Sequence, residues 1–447
     1  MEQVERRLPQ VEGLIAARRW QELRGLLDEL PVPDVAELLV ELERPLQAVV
    51  FRLLSRPAAA EVFSYLESPD KDRLLQNLSS EEATYILDNL PPDDRTEFFE
   101  DLPGVAIQRL LNLLSPEQLL EARKLLGYPR ESVGRLMTPD YVALRENWRI
   151  ETALGHIRRV GRESETINSV FVIDDGWHLL DDIQLSQIIL AEPTALVGSL
   201  MDETGPRISA FEDREKAVEV MRRYDVSVLP VVDAEGILLG IVTADDVLDV
   251  AEEEATEDIH LGAAVGPLRT SYREASVFSL YRKRIVWLAA LLVLNLASGG
   301  VIALFEDTLA STIALAFFIP LLMGSAGNTG AQSSTLVVRA IATGDLGLDE
   351  WLRTLGRELG IGVLLAGTLA LAVWLAGLAK GGPEIAFIVA AAMLAVVFVT
   401  NLIGVVIPLA LTKLGIDPAV ASSPLITSIA DVSCLLIYFS IARAVLV

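Results

Sequence analysis

Cysteine is almost missing from this chain: Cys434 is the only one in 447 residues, so neither an intrachain disulfide framework nor a cysteine zinc site can be built. Histidine is nearly as scarce. His156, His178 and His260 stand far apart and cannot form the H-E-x-x-H helix of a metalloprotease. No G-x-x-x-x-G-K-[ST] phosphate loop occurs, which argues against ATP-driven work by such a loop. The opening residues, MEQVERRLPQ, lack the apolar core of a cleaved signal peptide, so the head that follows is expected to stay in the cytoplasm. Basic residues are few as well: 37 Lys and Arg against 62 Asp and Glu give a net charge of −25 and a pI near 4.6. Such a surface repels nucleic acid and attracts cations.

What is abundant is apolar. Hydrophobic residues make up 51% of the chain and mean hydropathy is +0.41, which beside so much negative charge implies two unlike parts in one chain. They divide near Arg284. Only six Lys/Arg and nine Asp/Glu follow it, so nearly all the net charge belongs to the head. Five apolar stretches follow: Ile285 to Phe305, Leu309 to Met323 with the small-residue continuation GSAGNTGAQSSTLVVRAIA, Ile361 to Leu378, Ile385 to Leu411, and Ala419 to Val447. With its continuation counted, each can cross a hydrocarbon core about 30 Å thick. Arg282, Lys283, Arg284, Arg339, Arg353, Arg357 and Lys413 fall on one side, against Lys380 and Arg443 on the other. This predicts a cytoplasmic head, an external C-terminus and a multi-pass location in the cell (inner) membrane.

Two patterns organise the head. Leucine recurs every twelve residues at Leu30, Leu42, Leu54, Leu66, Leu78, Leu90, Leu102 and Leu114. Ser or Pro often follows, and acidic residues open the next turn, which predicts short helices stacked into a superhelix. Further on, residues 136–248 read as an imperfect duplication. Leu136-Met137-Thr138-Pro139 and Leu200-Met201-Asp202 open the copies, each continuing with a helix (Ile150 to Val160; Arg214 to Tyr224), an apolar strand, a second strand and a closing helix. Such alternation implies α/β units. VSVLPVVDAEGILLGIVTADDV resembles the second half of a cystathionine-β-synthase (CBS) domain pair, while the first copy departs from it at Asp181 and Gln187. The resemblance implies an adenine-nucleotide clamp at Thr243 and Asp246, with ATP as candidate ligand.

Carboxylates crowd the stretch that joins this pair to the membrane: Asp245, Asp246, Asp249, Glu252, Glu253, Glu254, Glu257 and Asp258. At helical spacings they repel one another. A helix needing a counterion between a sensor and a pore suits a divalent-cation switch, with Asp93, Asp94 and Glu97 on the superhelix and Glu215 and Asp225 on the second copy as partners. In the membrane part, Asp431 sits within an apolar run, where a carboxylate is costly unless it faces a watery path or a cation. Pro424, Thr427, Ser428 and Asp431 share one helical face by the i, i+3, i+4, i+7 rule. Asn328, Gln332 and Thr400-Asn401 add amides at membrane depth.

The order of parts, with G-N-T-G-A-Q (Gly327 to Gln332) and D-P-A-x-A-S-S-P before Asp431, resembles the MgtE family of magnesium channels and transporters. The resemblance implies an all-α superhelical N-domain (1–130), an α/β tandem CBS pair (131–250), an acidic connecting or plug helix (245–270) and an all-α five-helix transmembrane domain (271–447). It further implies a homodimer with Mg²⁺ held near Asp431, with Ser423, Thr427 and Asn328 beside it, and no enzymatic activity. Sensor Mg²⁺ that shuts the pore would lie among Asp93, Glu97, Glu215, Asp225, Asp246, Asp249, Glu254, Glu257 and Asp258. Ser423 stands where family members often carry Asn. Mn²⁺, Co²⁺ and Ni²⁺ remain candidate ions beside Mg²⁺, and a carrier coupled to H⁺ or Na⁺ is the alternative to a channel.

Overall fold

The computed structural model describes residues 2–100, 102–202, 205–268, 272, 275–347 and 350–446 and divides into two compact units, 1–252 and 253–447. In the first, helices of eight to ten residues follow one another from Trp20–Asp28 to Pro116–Leu125. Each is too short to hide its apolar face alone, so alternate helices stack: Val32–Glu41 packs on Arg56–Ser64, and that on Ser80–Asp88. Leu42, Leu66, Leu90 and Leu114 are accordingly buried, as is Leu102, whereas Leu30, Leu54 and Leu78 are only partly so. The folding unit is thus a helix pair, twice the sequence period. Local signals mark the helix starts, as where Ser79 and Glu82 exchange side-chain and backbone hydrogen bonds in a capping box. Phe51, Phe63 and Phe98 make edge-on contacts through the core, and Phe99 lies tilted against Phe98, at ring separations of 5.9 to 6.5 Å.

Arg95 is wholly buried in this stack. Its guanidinium donates to the carbonyls of Leu87 and Leu90, at 3.2 and 3.4 Å, and pairs with Glu121 at 2.7 Å. That geometry fixes the helix Pro92–Glu100, which carries Asp93 and Asp94.

The duplication folds as two three-stranded sheets of the same order. Ala143–Leu144 runs parallel to Ser169–Ile173, which is antiparallel to Leu179–Gln184; Ile208–Ser209, Val228–Val232 and Leu238–Thr243 repeat the arrangement. Each copy lends its opening segment to the other. Thr138 bridges Ile241 of the second copy, and the Asp202 amide donates to Asp181 of the first at 2.7 Å. The departure at Asp181 is therefore structural, since its carboxylate receives that crossing backbone. The closing helix of the second copy, Ala244–Gly262, continues out of the unit as the acidic connector.

Among the described residues of the second unit, four helices are long and apolar enough to cross a membrane: Val277–Leu304, Ile313–Ala342, Trp351–Lys413 and Ser423–Leu446. The third, of 63 residues, is interrupted at Gly382, whose φ of 81° lies where a side chain is strained. Gly377 packs against Ala386 and Gly362 against Asn401, a pairing that only an antiparallel hairpin centred on Gly382 allows. It supplies two crossings, so five apolar helical segments are present. Tyr438 donates to the Leu315 carbonyl at 3.0 Å, and Phe305 stacks on Phe439 at 5.5 Å.

Removing Arg95 strands Glu121 and two backbone carbonyls in the core. Arg95→Met is expected to destabilise the head by about 3–5 kcal/mol, measured as a lower midpoint for head unfolding in denaturant on the full chain.

Candidate cation sites

The last span brings Ser423, Pro424, Thr427, Ser428 and Asp431 to one wall of an open cleft of about 510 Å³, and the first span supplies Leu288, Leu291, Leu292 and Asn295 opposite. The polar face read from helical spacing is therefore one wall. Glycines of the second span set its position. A methyl on Gly327 would come within 2.8 Å of the Thr427 methyl, and one on Gly404 within 2.4 Å of the Gly330 carbonyl oxygen, so neighbouring backbones touch where side chains would hold them apart. Ser428 returns its hydroxyl hydrogen to the Pro424 carbonyl at 3.0 Å. The oxygens of Asp431, Thr427, Ser423 and Asn295 remain to face the cleft.

Asn295 was not among the expected residues, although a lone amide inside the apolar run Ile285 to Phe305 is a legible signal. Conversely, Asn328 and Gln332 are exposed on the second span and line no part of this cleft. Gly327 and Gly330 face inward, and the next residue on a helix points about 100° away. Asn401 is committed elsewhere: it accepts from Ser333 at 2.6 Å and donates to the Glu358 carbonyl at 3.0 Å. It joins three spans and does not line the cleft.

In the head, carboxylates from three places are brought close. Asp93 and Asp94 come from the superhelix, Glu165 from the first CBS-like copy, and Asp245, Asp246 and Asp249 from the base of the connecting helix. Burial pushes the Asp93 carboxyl well above its usual range, and the charges of Asp246, Asp94 and Glu165 push it further. Burial likewise raises Asp94, Glu165 and Asp249. Asp246 is pushed up to about 7, chiefly by burial, against the hydrogen bonds from Thr243 that lower it. Lys71, itself buried, is the positive charge that acts on Asp94 and Asp249. Asp93 is 6% exposed and its Oδ1 has no hydrogen-bond partner among the described residues. Glu165 carries no sequence signal; only the fold brings its loop here.

Glu97, Glu215 and Asp225 are exposed, with Asp225 ending a helix in the left-handed conformation at φ 54°. In the second unit, Glu254, Glu257 and Asp258 are half-buried on the connecting helix. Burial and then the charge of Asp417 raise the Asp258 carboxyl, while Arg339 lowers it. Among the described residues no three His, Cys, Asp or Glu side chains converge tightly enough to grip a bare ion. An ion that keeps much of its water shell, as Mg²⁺ does, is served by carboxylates at longer range.

The Thr243 hydroxyl donates to Asp246 at 2.7 Å and also contacts Asp245. The two clamp residues are thus adjacent, with the Asp246 carboxylate at present turned to its own helix start.

A membrane unit with a polar, carboxylate-bearing cleft, joined to a head rich in mutually repelling carboxylates, defines a multi-pass membrane protein built to handle cations. Family models match in the same order: the MgtE intracellular N domain at residues 21–131, the CBS domain at 197–253 and MgtE, a divalent cation transporter, at 319–441. The CBS match covers the second copy alone. Magnesium transporter MgtE of Thermus thermophilus is 41% identical over 339 residues, 76% of this chain and 75% of that one. Its counterpart in Bacillus subtilis is 35% identical over 321 residues, 72% and 71%. The chain belongs to the MgtE family. Among solved structures, the cytosolic domain of the Mg²⁺ channel MgtE in complex with ATP is 34% identical with a TM-score of 0.52, covering 54% of this chain and 99% of that one. The soluble part of a magnesium transporter is 26% identical with a TM-score of 0.53, covering 56% and 99%.

The raised carboxyls set a pH dependence. Asp246 has a folded pKa of about 7 against about 3.9 when unfolded, so between these values the folded head holds the extra proton and its stability falls as pH rises. In metal-free buffer the head of the full chain is expected to melt at a higher temperature at pH 6 than at pH 8. Mg²⁺ is expected to raise the melting temperature more at pH 8 than at pH 6. Asp93→Asn combined with Asp246→Asn is expected to flatten both trends in calorimetry.

Proposed function

We propose that the protein is a Mg²⁺ channel that admits the ion down its electrochemical gradient and is held shut when Mg²⁺ fills the acidic sites of the head. The observation that carries this reading is the Asp431 cleft, in which a carboxylate of the last span is set beside hydroxyl and amide oxygens. Such oxygens suit a hard cation that retains its hydration, and the relatives named magnesium transporters make Mg²⁺ the first ion to test. The membrane potential contributes about 2.3 kcal/mol per charge per 100 mV, doubled for a divalent ion, so inward flow into a cytoplasmic head compartment needs no ATP.

The cleft opens outward and the first span has few buried residues, which favours completion of the pore by a second copy in a homodimer. Asp431, Thr427, Ser423 and Asn295 from each copy then face the path, and Asn328 serves only if the partner approaches the second span. In the head, Asp93, Asp246 and Asp249 are the central sensor residues, with Glu97, Glu215, Asp225, Glu254, Glu257 and Asp258 as outlying ligands. Without a cation these groups repel and the parts separate; Mg²⁺ favours the shut state only through its greater affinity for it. The ATP complex of a similar cytosolic domain supports a nucleotide at the CBS pair, with Thr243 and Asp246 as its clamp.

Purified protein in vesicles loaded with a Mg²⁺-sensitive dye is the test. Asp431→Ala is expected to lower Mg²⁺ uptake at least tenfold, with Asn295→Ala losing less. Uptake that persists in Asp431→Ala, or that runs only with an imposed H⁺ or Na⁺ gradient, rejects the channel reading.

A further inference from the structure

A second cavity, of about 570 Å³, lies at the head-side start of the first span and is lined by Gly266, Ser276, Phe278, Ser279, Arg282, Lys283, Val286 and Trp287. It shares the first span with the Asp431 cleft but differs from it in chemistry: among the described residues its lining holds two cations and no carboxylate. Ser279, Arg282, Lys283, Val286 and Trp287 follow the i, i+3, i+4, i+7, i+8 rule and form one stripe of the helix Val277–Leu304. Along that stripe the chemistry changes in order, from hydroxyl to cations to apolar and aromatic groups, over about 12 Å at about 1.5 Å per residue. Phe278 is 73% exposed and Val286 68%, although both lie at the entrance to a membrane span. Neither Arg282 nor Lys283 forms an ion pair among the described residues, in contrast to Arg353, which lies 3.9 Å from Glu350.

From this we infer that the cavity binds the headgroup of an anionic phospholipid, with its phosphodiester against Arg282, Lys283 and the two serine hydroxyls and its acyl chain along Val286 and Trp287. A phosphodiester accepts charge-assisted hydrogen bonds from such cations, and aromatic rings at the membrane–water boundary seat the glycerol level. Free phosphate could use the cations but has no use for the apolar end of the stripe, so the lipid is the occupant the polarity gradient selects. The site also touches the connector. The Gly266 amide donates to the Lys283 carbonyl at 3.0 Å, and a methyl on Gly266 would meet the Lys283 side chain at 3.1 Å. The chain leaving the acidic helix is therefore fastened to the residue that holds the lipid, and headgroup occupancy stiffens that joint.

The inference does not depend on which ion is carried, and its test needs no transport. Full-length protein is reconstituted in vesicles of phosphatidylcholine with one-fifth phosphatidylglycerol, re-extracted in mild detergent, and the retained lipid counted by mass spectrometry. Wild type is expected to retain phosphatidylglycerol over phosphatidylcholine at least fivefold relative to the mixture, with no displacement by 10-fold excess inorganic phosphate. Arg282→Gln with Lys283→Gln is expected to lose that enrichment, while Arg353→Gln keeps it. If the double variant does not fold, Arg282→Lys with Lys283→Arg keeps the charge and is expected to keep the enrichment. Equal retention of the two lipids by wild type, displacement by phosphate, or loss of enrichment only in Arg353→Gln overturns the assignment.

Discussion

Negative charge without enough positive charge to answer it is the constraint around which both units are built. Burying a carboxylate is expensive unless something pairs with it, yet Asp93 is almost wholly buried beside Asp94, Glu165 and Asp246. A fold does not retain such a cluster for its own stability. In the function proposed, a cation from solution answers this charge, and the same deficit appears in the membrane at Asp431, where hydroxyl and amide oxygens gather and, among the described residues, no basic side chain lines the cleft.

The rest of the architecture holds these deficits in place. Buried Arg95 spends its donors on carbonyls and Glu121, so it fixes the helix bearing Asp93 without neutralising the cluster. The CBS-like pair, interlocked by exchange of its opening segments, is a rigid base from which Ala244–Gly262 carries carboxylates onward. In the membrane, Asn401 and Ser333 tie spans together, and close contact at Gly327, Gly330 and Gly404 sets the last span. Polar groups at membrane depth therefore divide into those consumed by packing and those that line the Asp431 cleft.

That division marks how far the sequence is legible. The twelve-residue leucine period, the duplicated strand and helix order and the apolar runs are readable because each is a local repeat with a physical cause. Thr427, Ser428 and Asp431 are readable for the same reason, since helical periodicity puts them on one face; Ser423 is pointed to by the family resemblance alone. Asn328 and Asn401 look alike in sequence, yet one is exposed and the other bridges neighbouring spans, because a residue's partner on another helix leaves no trace in its own. Glu165 is invisible for a related reason, since a loop distant in sequence joins the acidic cluster only after the superhelix and the CBS-like pair have packed.

Self-limiting flow follows if one ion both permeates at Asp431 and closes the path from the head. Single-channel recording in a planar bilayer, with Mg²⁺ as the only permeant cation and its concentration raised on the head side alone, tests it most directly. Discrete Mg²⁺ currents whose open probability falls steeply as head-side Mg²⁺ rises, with the fall blunted in Asp93→Asn combined with Asp246→Asn, are the expected result. Currents indifferent to head-side Mg²⁺, or no currents beside gradient-coupled uptake, would contradict it.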